Sequence, residues 1–257
     1  MVASRLFRFS SAFFLLVVFA GAAAAAPFDF SGWDDLLKKY VKPGMKDGVS
    51  LNLVDYRGIG RDPEYKKLIS DLASYTPTFS STREKIAFWT DVYNIFAVKM
   101  IVDNPGVNSI KDAGSLLRSV WKKDAGAVGG KTYTLNEIEH GILRKLGDPR
   151  IHAAIVCASV SCPDLRIEAF DPARLDEQLD DQMKRFLSNR GKGLDIDMRN
   201  REIRLSSIFK WFEDDFEKKG GVRAFVARYL RPSLAAFVKN PNNSIVYMDY
   251  NWSLNGR

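Results

Sequence analysis

The chain has 257 residues, of which 46% are hydrophobic and 12% aromatic. This length and composition allow a full hydrophobic core. Lys and Arg outnumber Asp and Glu by 38 to 31, but the basic residues are dispersed along the chain. This dispersion argues against a nucleic-acid partner, which would require a basic tract.

The N-terminus has the three parts of a secretory signal peptide. Arg5 and Arg8 precede an apolar run at residues 12–20, and a string of small residues ends in Ala25. The apolar run is about half of the ~20 residues that a membrane span requires, and no second such run follows. We therefore predict a signal peptide at residues 1–25 and a soluble protein exported to a bacterial periplasm, with no membrane span after cleavage.

Helical spacing of apolar residues predicts helices at residues 30–41, 63–75, 81–104 and 171–189, with two more within 208–230. Extended segments are predicted at residues 49–59, 151–157 and 244–255, with a hairpin at 194–206 that turns at Arg199-Asn200. Helices dominate, which favours an α+β fold with a small, short-stranded antiparallel sheet, compatible with a papain-like or transglutaminase-like arrangement. No linker divides the mature chain. We expect an N-terminal helical segment at 26–48 and one globular domain at 49–257.

The predicted helix at 81–104 is apolar on nearly every side, which is typical of a helix at the centre of a domain. Thr90, Asp91 and Asn94 are exceptions and share one face. Buried amide and carboxyl groups require hydrogen-bond partners. Asp91 and Asn94 are therefore expected either to brace a neighbouring loop or to face a site as substrate-binding residues.

All the cysteines and histidines of the chain lie between residues 140 and 162. Thr134 and Glu137 form a predicted capping box that begins a helix carrying His140. His152 and Cys157 lie on the predicted strand at 151–157, and Cys162 follows a loop of small residues. The clustering is compatible with a disulfide, a thiol active site or a metal site.

Several motifs together resemble the domain of unknown function 547. They are FWTDVYNIFAVK, YTLNEIEHGILR, DPRIHAAIVCASVSCPDLR, LSSIFKWFEDDF and VYMDYNWSLN, and the resemblance extends over about residues 50–254. One departure is visible, because that family usually has Asn where this chain has Asp91. The resemblance implies a domain found in exported bacterial proteins and also in plant and animal proteins, and it implies no activity.

The first hypothesis for the cluster is structural. Cys157 and Cys162 would form a disulfide across a four-residue loop, as an oxidising compartment favours. The histidines would then be ordinary polar residues, and the protein would be a non-catalytic binding or structural domain.

The second hypothesis is thiol catalysis, because a nucleophilic cysteine requires a lowered pKa and a nearby base. Cys157 would be the nucleophile of a hydrolase or acyl transferase, and His140, flanked by Glu137 and Glu139, would be the base, with Glu137 to orient it. Strand alternation would turn His152 away from Cys157. The backbone amides of Ala158 and Ser159 would bind an oxyanion. The remaining substrate contacts would be a carboxylate clamp formed by Arg144, Arg150 and Arg166. The substrate would be a small molecule or a peptide, and no cofactor is required.

A third hypothesis is a zinc site. Two thiolates and two imidazoles complete a tetrahedral shell, and the ligands would be Cys157, Cys162, His140 and His152. The aromatic residues Trp211, Phe212 and Tyr229 are expected in the core and not on a binding surface.

Overall fold

The structure is a computed structural model that describes residues 26–115 and 118–256. The predicted signal peptide lies outside the described residues. Within them, no helix has the length and apolar character needed to cross a membrane.

The N-terminal part of the fold leads to one long central helix. The elements in chain order are α1 (Ser31–Tyr40), β1 (Val41–Lys46), β2 (Val49–Val54), α2 (Tyr56–Arg61), α3 (Pro63–Ser74) and α4 (Thr82–Val102). Ser81 caps α4 by accepting a hydrogen bond from the Glu84 backbone. Almost the whole of α4 from Ile86 to Ile101 is buried. The prediction of a central buried helix is confirmed.

The middle part carries the segment with the cysteines and histidines. Strands β3 (Asp124–Val128) and β4 (Lys131–Thr134) form a hairpin whose turn residues, Gly129 and Gly130, both have positive φ. A π-helical segment, Glu137–Leu143, continues into a single 3₁₀ turn, Arg144–Leu146, and is followed by the short helix α5 (Ile151–Ala154). The predicted strand at 151–157 is therefore wrong, because residues 151–154 are helical and residues 155–157 belong to no strand. A short apolar run does not distinguish a buried strand from a buried helix by its periodicity.

The C-terminal part adds α6 (Leu175–Ser188), β5 (Leu194–Asp197), β6 (Glu202–Leu205), α7 (Ile208–Trp211), α8 (Glu213–Glu217), α9 (Val222–Ala227), α10 (Pro232–Lys239) and β7 (Ser244–Tyr247). The hairpin predicted at 194–206 is confirmed as β5 and β6. Strand β7 pairs with β6 in parallel, because α7 to α10 form the crossover between them. The predicted last strand is shorter than expected and ends at Tyr247.

The α+β prediction is confirmed, although the described strands form separate sheets of two, two and three strands instead of one. The larger hydrophobic cluster surrounds α4 and includes Trp33, Leu36 and Leu37 from α1. Residues 31–40 are thus part of the main core and not a detached N-terminal segment. A second cluster joins α6 to β6, α8 and α9.

Candidate thiol site

The chain that enters the site is held by Asn94 of α4. The Asn94 side-chain amide donates a hydrogen bond to the Ala154 carbonyl at 3.0 Å, and its oxygen accepts one from the Val156 backbone at 2.9 Å. These bonds end α5 and fix an extended path into Cys157. Asn94 is 2% exposed. It therefore braces the segment that leads to Cys157, which is one of the two roles predicted for it.

Asp91, one turn earlier on α4, is also a brace. Its Oδ2 accepts a hydrogen bond from the Phe170 backbone at 2.8 Å, and burial raises the pKa of this carboxyl well above its usual range. Burial thus favours the neutral acid at Asp91, which has nearly the shape of an Asn side chain. Neither Asp91 nor Asn94 lines the pocket described below, so their substrate-binding role is not supported by their position.

The loop after Cys157 is strained and anchored. Ala158 has a φ of 57°, a left-handed conformation that is unfavourable for a residue with a Cβ atom. Its carbonyl accepts a hydrogen bond from Asn255 at 3.0 Å, and the Val160 backbone donates to Ser253 at 2.9 Å. Ser253 and Asn255 therefore fix the position of the loop after Cys157, here called the thiol loop.

The Cys157 sulfur is surrounded by neutral hydrogen-bonding groups. It lies 3.1 Å from the Tyr250 hydroxyl, 3.2 Å from the Ser159 hydroxyl and 3.1 Å from the Cys162 sulfur. Burial alone would raise the pKa of this thiol, but the bonds from Cys162, Ser159 and Tyr250 lower it to about 7. An ordinary thiol has a pKa of ~8.5. The backbone amide of Ser159, proposed above as an oxyanion donor, instead contributes to stabilising the sulfur.

Cys157 opens onto a pocket of about 350 Å³, here called the thiol pocket. Its aromatic lining consists of Tyr93, Trp121, Trp211, Phe212, Tyr250 and Trp252. The Trp211 and Trp252 rings are stacked with centroids 5.7 Å apart, and Trp211 is 47% exposed. The expectation that Trp211 and Phe212 belong only to the core is wrong, because α7 and the C-terminal segment present them to the thiol pocket.

Glu139 contributes an acidic group to the thiol pocket. It lies in the π-helical segment and is 6% exposed, and its carboxyl accepts a hydrogen bond from the Tyr93 hydroxyl at 3.3 Å. Burial raises the pKa of Glu139 to about 7, with the charge on Cys157 adding to the effect. Near neutral pH, a carboxyl and a thiol with similar pKa values thus share one pocket.

Both histidines also line the thiol pocket, but their polar contacts belong to a charged network. Asp215 on α8 accepts hydrogen bonds from His152 Nε2 at 2.9 Å and from Arg144 Nε at 2.6 Å. These bonds keep the Asp215 pKa below its usual range, despite the opposing effect of burial. His152 stacks on Phe212 with ring centroids 3.9 Å apart. Burial lowers the pKa of His152, so the ring is neutral and Nε2 donates to the ionised Asp215.

The proposed arrangement of His140 with Glu137 is not formed in the structure. The Nδ1 of His140 lies 2.8 Å from an Arg144 nitrogen, and burial together with this cation lowers the His140 pKa. Glu137 hydrogen-bonds the Thr134 backbone at 2.8 Å, which confirms the capping box. Glu137 is therefore used to begin a helix at the surface and not to orient an imidazole.

The predicted carboxylate clamp is also not assembled. Arg144 is bound to Asp215, while Arg150 pairs with Asp148, Asp176 and Asp180 and Arg166 pairs with Glu168 and Asp181. None of the three arginines lines the thiol pocket. The zinc hypothesis is not supported either, because no three His, Cys, Asp or Glu side chains in residues 26–115 and 118–256 are placed to hold a metal ion.

Sequence reasoning missed Tyr93, Tyr250 and Asp215. It identified Glu139 only as a carboxylate beside His140 and not as a buried acid of the pocket. Tyr250 lies in the closing motif VYMDYNWSLN, which was interpreted as a strand. Asp215 has no signal in the sequence, because only the tertiary fold brings α8 against α5.

Comparisons with known proteins give one finding. Residues 77–187 match the family model described as "Protein of unknown function, DUF547", and this stretch includes Cys157, Cys162 and Glu139 but not Asp215 or Tyr250. No curated protein and no solved structure matches the chain. The resemblance to this family, which the sequence motifs predicted over a longer range, is thus confirmed over residues 77–187.

Proposed function

We propose that the protein is a thiol-dependent hydrolase or acyl transferase in which Cys157 is the nucleophile and Glu139 the acid-base group. The observation that carries the proposal is the pairing, in one pocket, of a thiol and a carboxyl whose pKa values are both about 7. Groups that titrate near the working pH are the most effective in proton transfer.

In the reaction, the Glu139 carboxylate first takes the proton of Cys157 through a water molecule. The resulting thiolate attacks the carbonyl carbon of the substrate and forms a sulfur–carbon bond. The protonated Glu139 then gives its proton to the departing alcohol or amine, and a thioester remains on Cys157. Finally, Glu139 removes a proton from water or another acceptor, which attacks the thioester and restores the thiol.

The lining of the thiol pocket indicates the kind of substrate. Trp211, Trp252 and Trp121 present apolar ring surface beside the nucleophile, and Trp211 is half-exposed before any substrate binds. Arg150 and Arg166 pair with carboxylates elsewhere. An acyl group with an apolar or aromatic portion fits this lining, to which Lys122 adds a cation.

The test is acylation by p-nitrophenyl acetate, a small activated ester. The wild-type protein should release nitrophenolate and carry an acetyl group on Cys157, as detected by mass spectrometry of its peptides. Cys157→Ala should abolish both signals, whereas Glu139→Gln should slow the later release of acetate. Turnover by wild type no faster than that of Cys157→Ala would end the proposal.

We also propose that the protein acts outside the cytoplasm. The support is the tripartite N-terminal sequence. The N-terminus of the protein purified from its native host should lie near Ala26. Recovery of chains that retain Met1 from the cell interior would contradict export.

A further inference from the structure

The two thiols of the chain are close enough to react with each other. Their sulfurs are 3.1 Å apart in the structure, where both cysteines are free. The Cys157 backbone also donates a hydrogen bond to the Cys162 sulfur at 2.8 Å, and the Cys162 backbone donates to the Ser159 carbonyl at 3.2 Å. A disulfide requires a sulfur separation of about 2.05 Å, so a shift of about 1 Å would join them.

The two thiols differ in accessibility. Both cysteines line the thiol pocket, but Cys157 is half-buried whereas Cys162 is only 3% exposed. A reagent in the pocket therefore meets Cys157 first. Burial raises the pKa of Cys162 and the neighbouring Cys157 raises it further, so Cys162 remains a protonated thiol behind its partner.

We propose that Cys157 and Cys162 form a reversible redox couple in which a hydroperoxide oxidises Cys157 and Cys162 then closes a disulfide. In the first step, the Cys157 thiolate attacks the nearer peroxide oxygen, the O–O bond breaks and the other oxygen leaves as hydroxide or alkoxide. Cys157 becomes a sulfenic acid and the peroxide is reduced. In the second step, the Cys162 sulfur attacks the sulfenic sulfur, and the hydroxyl group leaves with the Cys162 proton as water.

The disulfide is reversed by a dithiol, which is oxidised to its own disulfide while both cysteines return to thiols. The cycle removes the Cys157 nucleophile while the disulfide lasts. It also protects Cys157, because a sulfenic acid left without a partner is oxidised irreversibly to a sulfinic acid. The couple uses the same thiol as the proposed acyl chemistry but does not depend on that chemistry.

The experiment treats the full, reduced protein with one equivalent of hydrogen peroxide, blocks the remaining thiols with N-ethylmaleimide and measures the mass of the intact protein. Wild type should lose two hydrogens, take up no maleimide and return to the dithiol with dithiothreitol. Cys162→Ser should instead carry a sulfenic acid at Cys157 that dimedone traps, and excess peroxide should convert it to sulfinic acid several-fold faster than in wild type. In Cys157→Ser, Cys162 should stay reduced while the protein is folded.

Formation of sulfinic acid at Cys157 at the same rate in wild type and in Cys162→Ser would overturn the proposal, as would oxidation of Cys162 in folded Cys157→Ser. The melting temperature of each variant establishes that it is folded, and Ser161→Ala, in the same loop, serves as a matched control that should cycle like wild type. If the disulfide forms and reverses while p-nitrophenyl acetate is not hydrolysed, the redox couple stands and the acyl-transfer function fails.

Discussion

Two polar regions next to the thiol pocket use different electrostatics. The Cys157 sulfur is stabilised by the neutral donors of Tyr250, Ser159 and Cys162, whereas His152 and Arg144 are held by the ionised Asp215. Among the described residues, no histidine hydrogen-bonds the Cys157 sulfur. The charged region positions helices, and the neutral region tunes a reactive atom.

The difference follows from the structural elements that carry the residues of each region. Salt bridges tie α5 and the segment after the π-helix to α8, so breaking them should mainly reduce stability. The neutral donors lie on the thiol loop and the C-terminal segment, so removing one should mainly change the pKa of Cys157. Glu139 lies between them, since its pKa responds to Cys157 as well as to Arg144 and Asp215.

The largest effect is expected from the charged region. Asp215→Ala leaves Arg144 and buried His152 without their shared partner and should reduce the free energy of unfolding by about 3 kcal/mol. The folded-state pKa of Asp215 is lowered, so its contribution is present above the unfolded pKa of ~3.9 and is lost as pH falls further. Urea unfolding of wild type and variant at pH 7 measures the loss of stability, and the same measurement at pH 3 shows how far that loss decreases in acid. Asp214→Ala, its exposed neighbour, should change little, and equal losses in the two variants would contradict this role.

Glu139 should show the opposite pH dependence. Its folded-state pKa is raised to about 7, so stability falls as pH rises from ~4.3 through 7. Glu139→Gln should remove this loss. The free energy of unfolding of the variant, relative to wild type, should therefore be about 2 kcal/mol more favourable at pH 8 than at pH 5. Glu137→Gln is the matched control, because Gln keeps an oxygen that accepts the hydrogen bond from the Thr134 backbone, so stability should change little at either pH value. A wild-type free energy of unfolding that is the same at pH 5 and pH 8 would show that the folded-state pKa of Glu139 is not raised to about 7.

Removing one neutral donor should change the thiol without much change in the fold. Tyr250→Phe should raise the Cys157 pKa by about one unit, which slows alkylation by iodoacetamide about fivefold at pH 7. The rate measured from pH 5 to pH 10 gives the midpoint directly. Tyr247→Phe, on the nearby strand β7, should leave that midpoint unchanged. An unchanged midpoint in Tyr250→Phe would show that the hydroxyl does not stabilise the thiolate.

The sequence predicted those features that local patterns determine. The buried helix α4, the hairpin of β5 and β6 and the capping box of Thr134 with Glu137 all follow from residue spacing and turn chemistry. The bracing role of Asn94 followed from the cost of burying an amide. Position in the tertiary fold was not predictable in this way, because Tyr250 is 93 residues from Cys157 and Asp215 is 63 residues from His152. The strand predicted through His152 also misplaced that residue, because periodicity does not separate short buried helices from strands.

The smallest expected effect tests the thiol-catalysis hypothesis of the sequence analysis, in which His140 is the base for Cys157. If His140 supplied an imidazolium to Cys157, His140→Ala would slow alkylation at pH 7 strongly. In the structure, Nδ1 of His140 faces Arg144, and burial and that cation lower its pKa. The ring is therefore neutral at pH 7, and His140→Ala should change the iodoacetamide rate by less than about twofold, because no charge is lost beside the sulfur. Tyr250→Phe measured in parallel provides the positive control for a change in thiol pKa. A loss in His140→Ala as large as in Tyr250→Phe would mean that the imidazole is the group that activates Cys157, and the neutral donors would then be secondary.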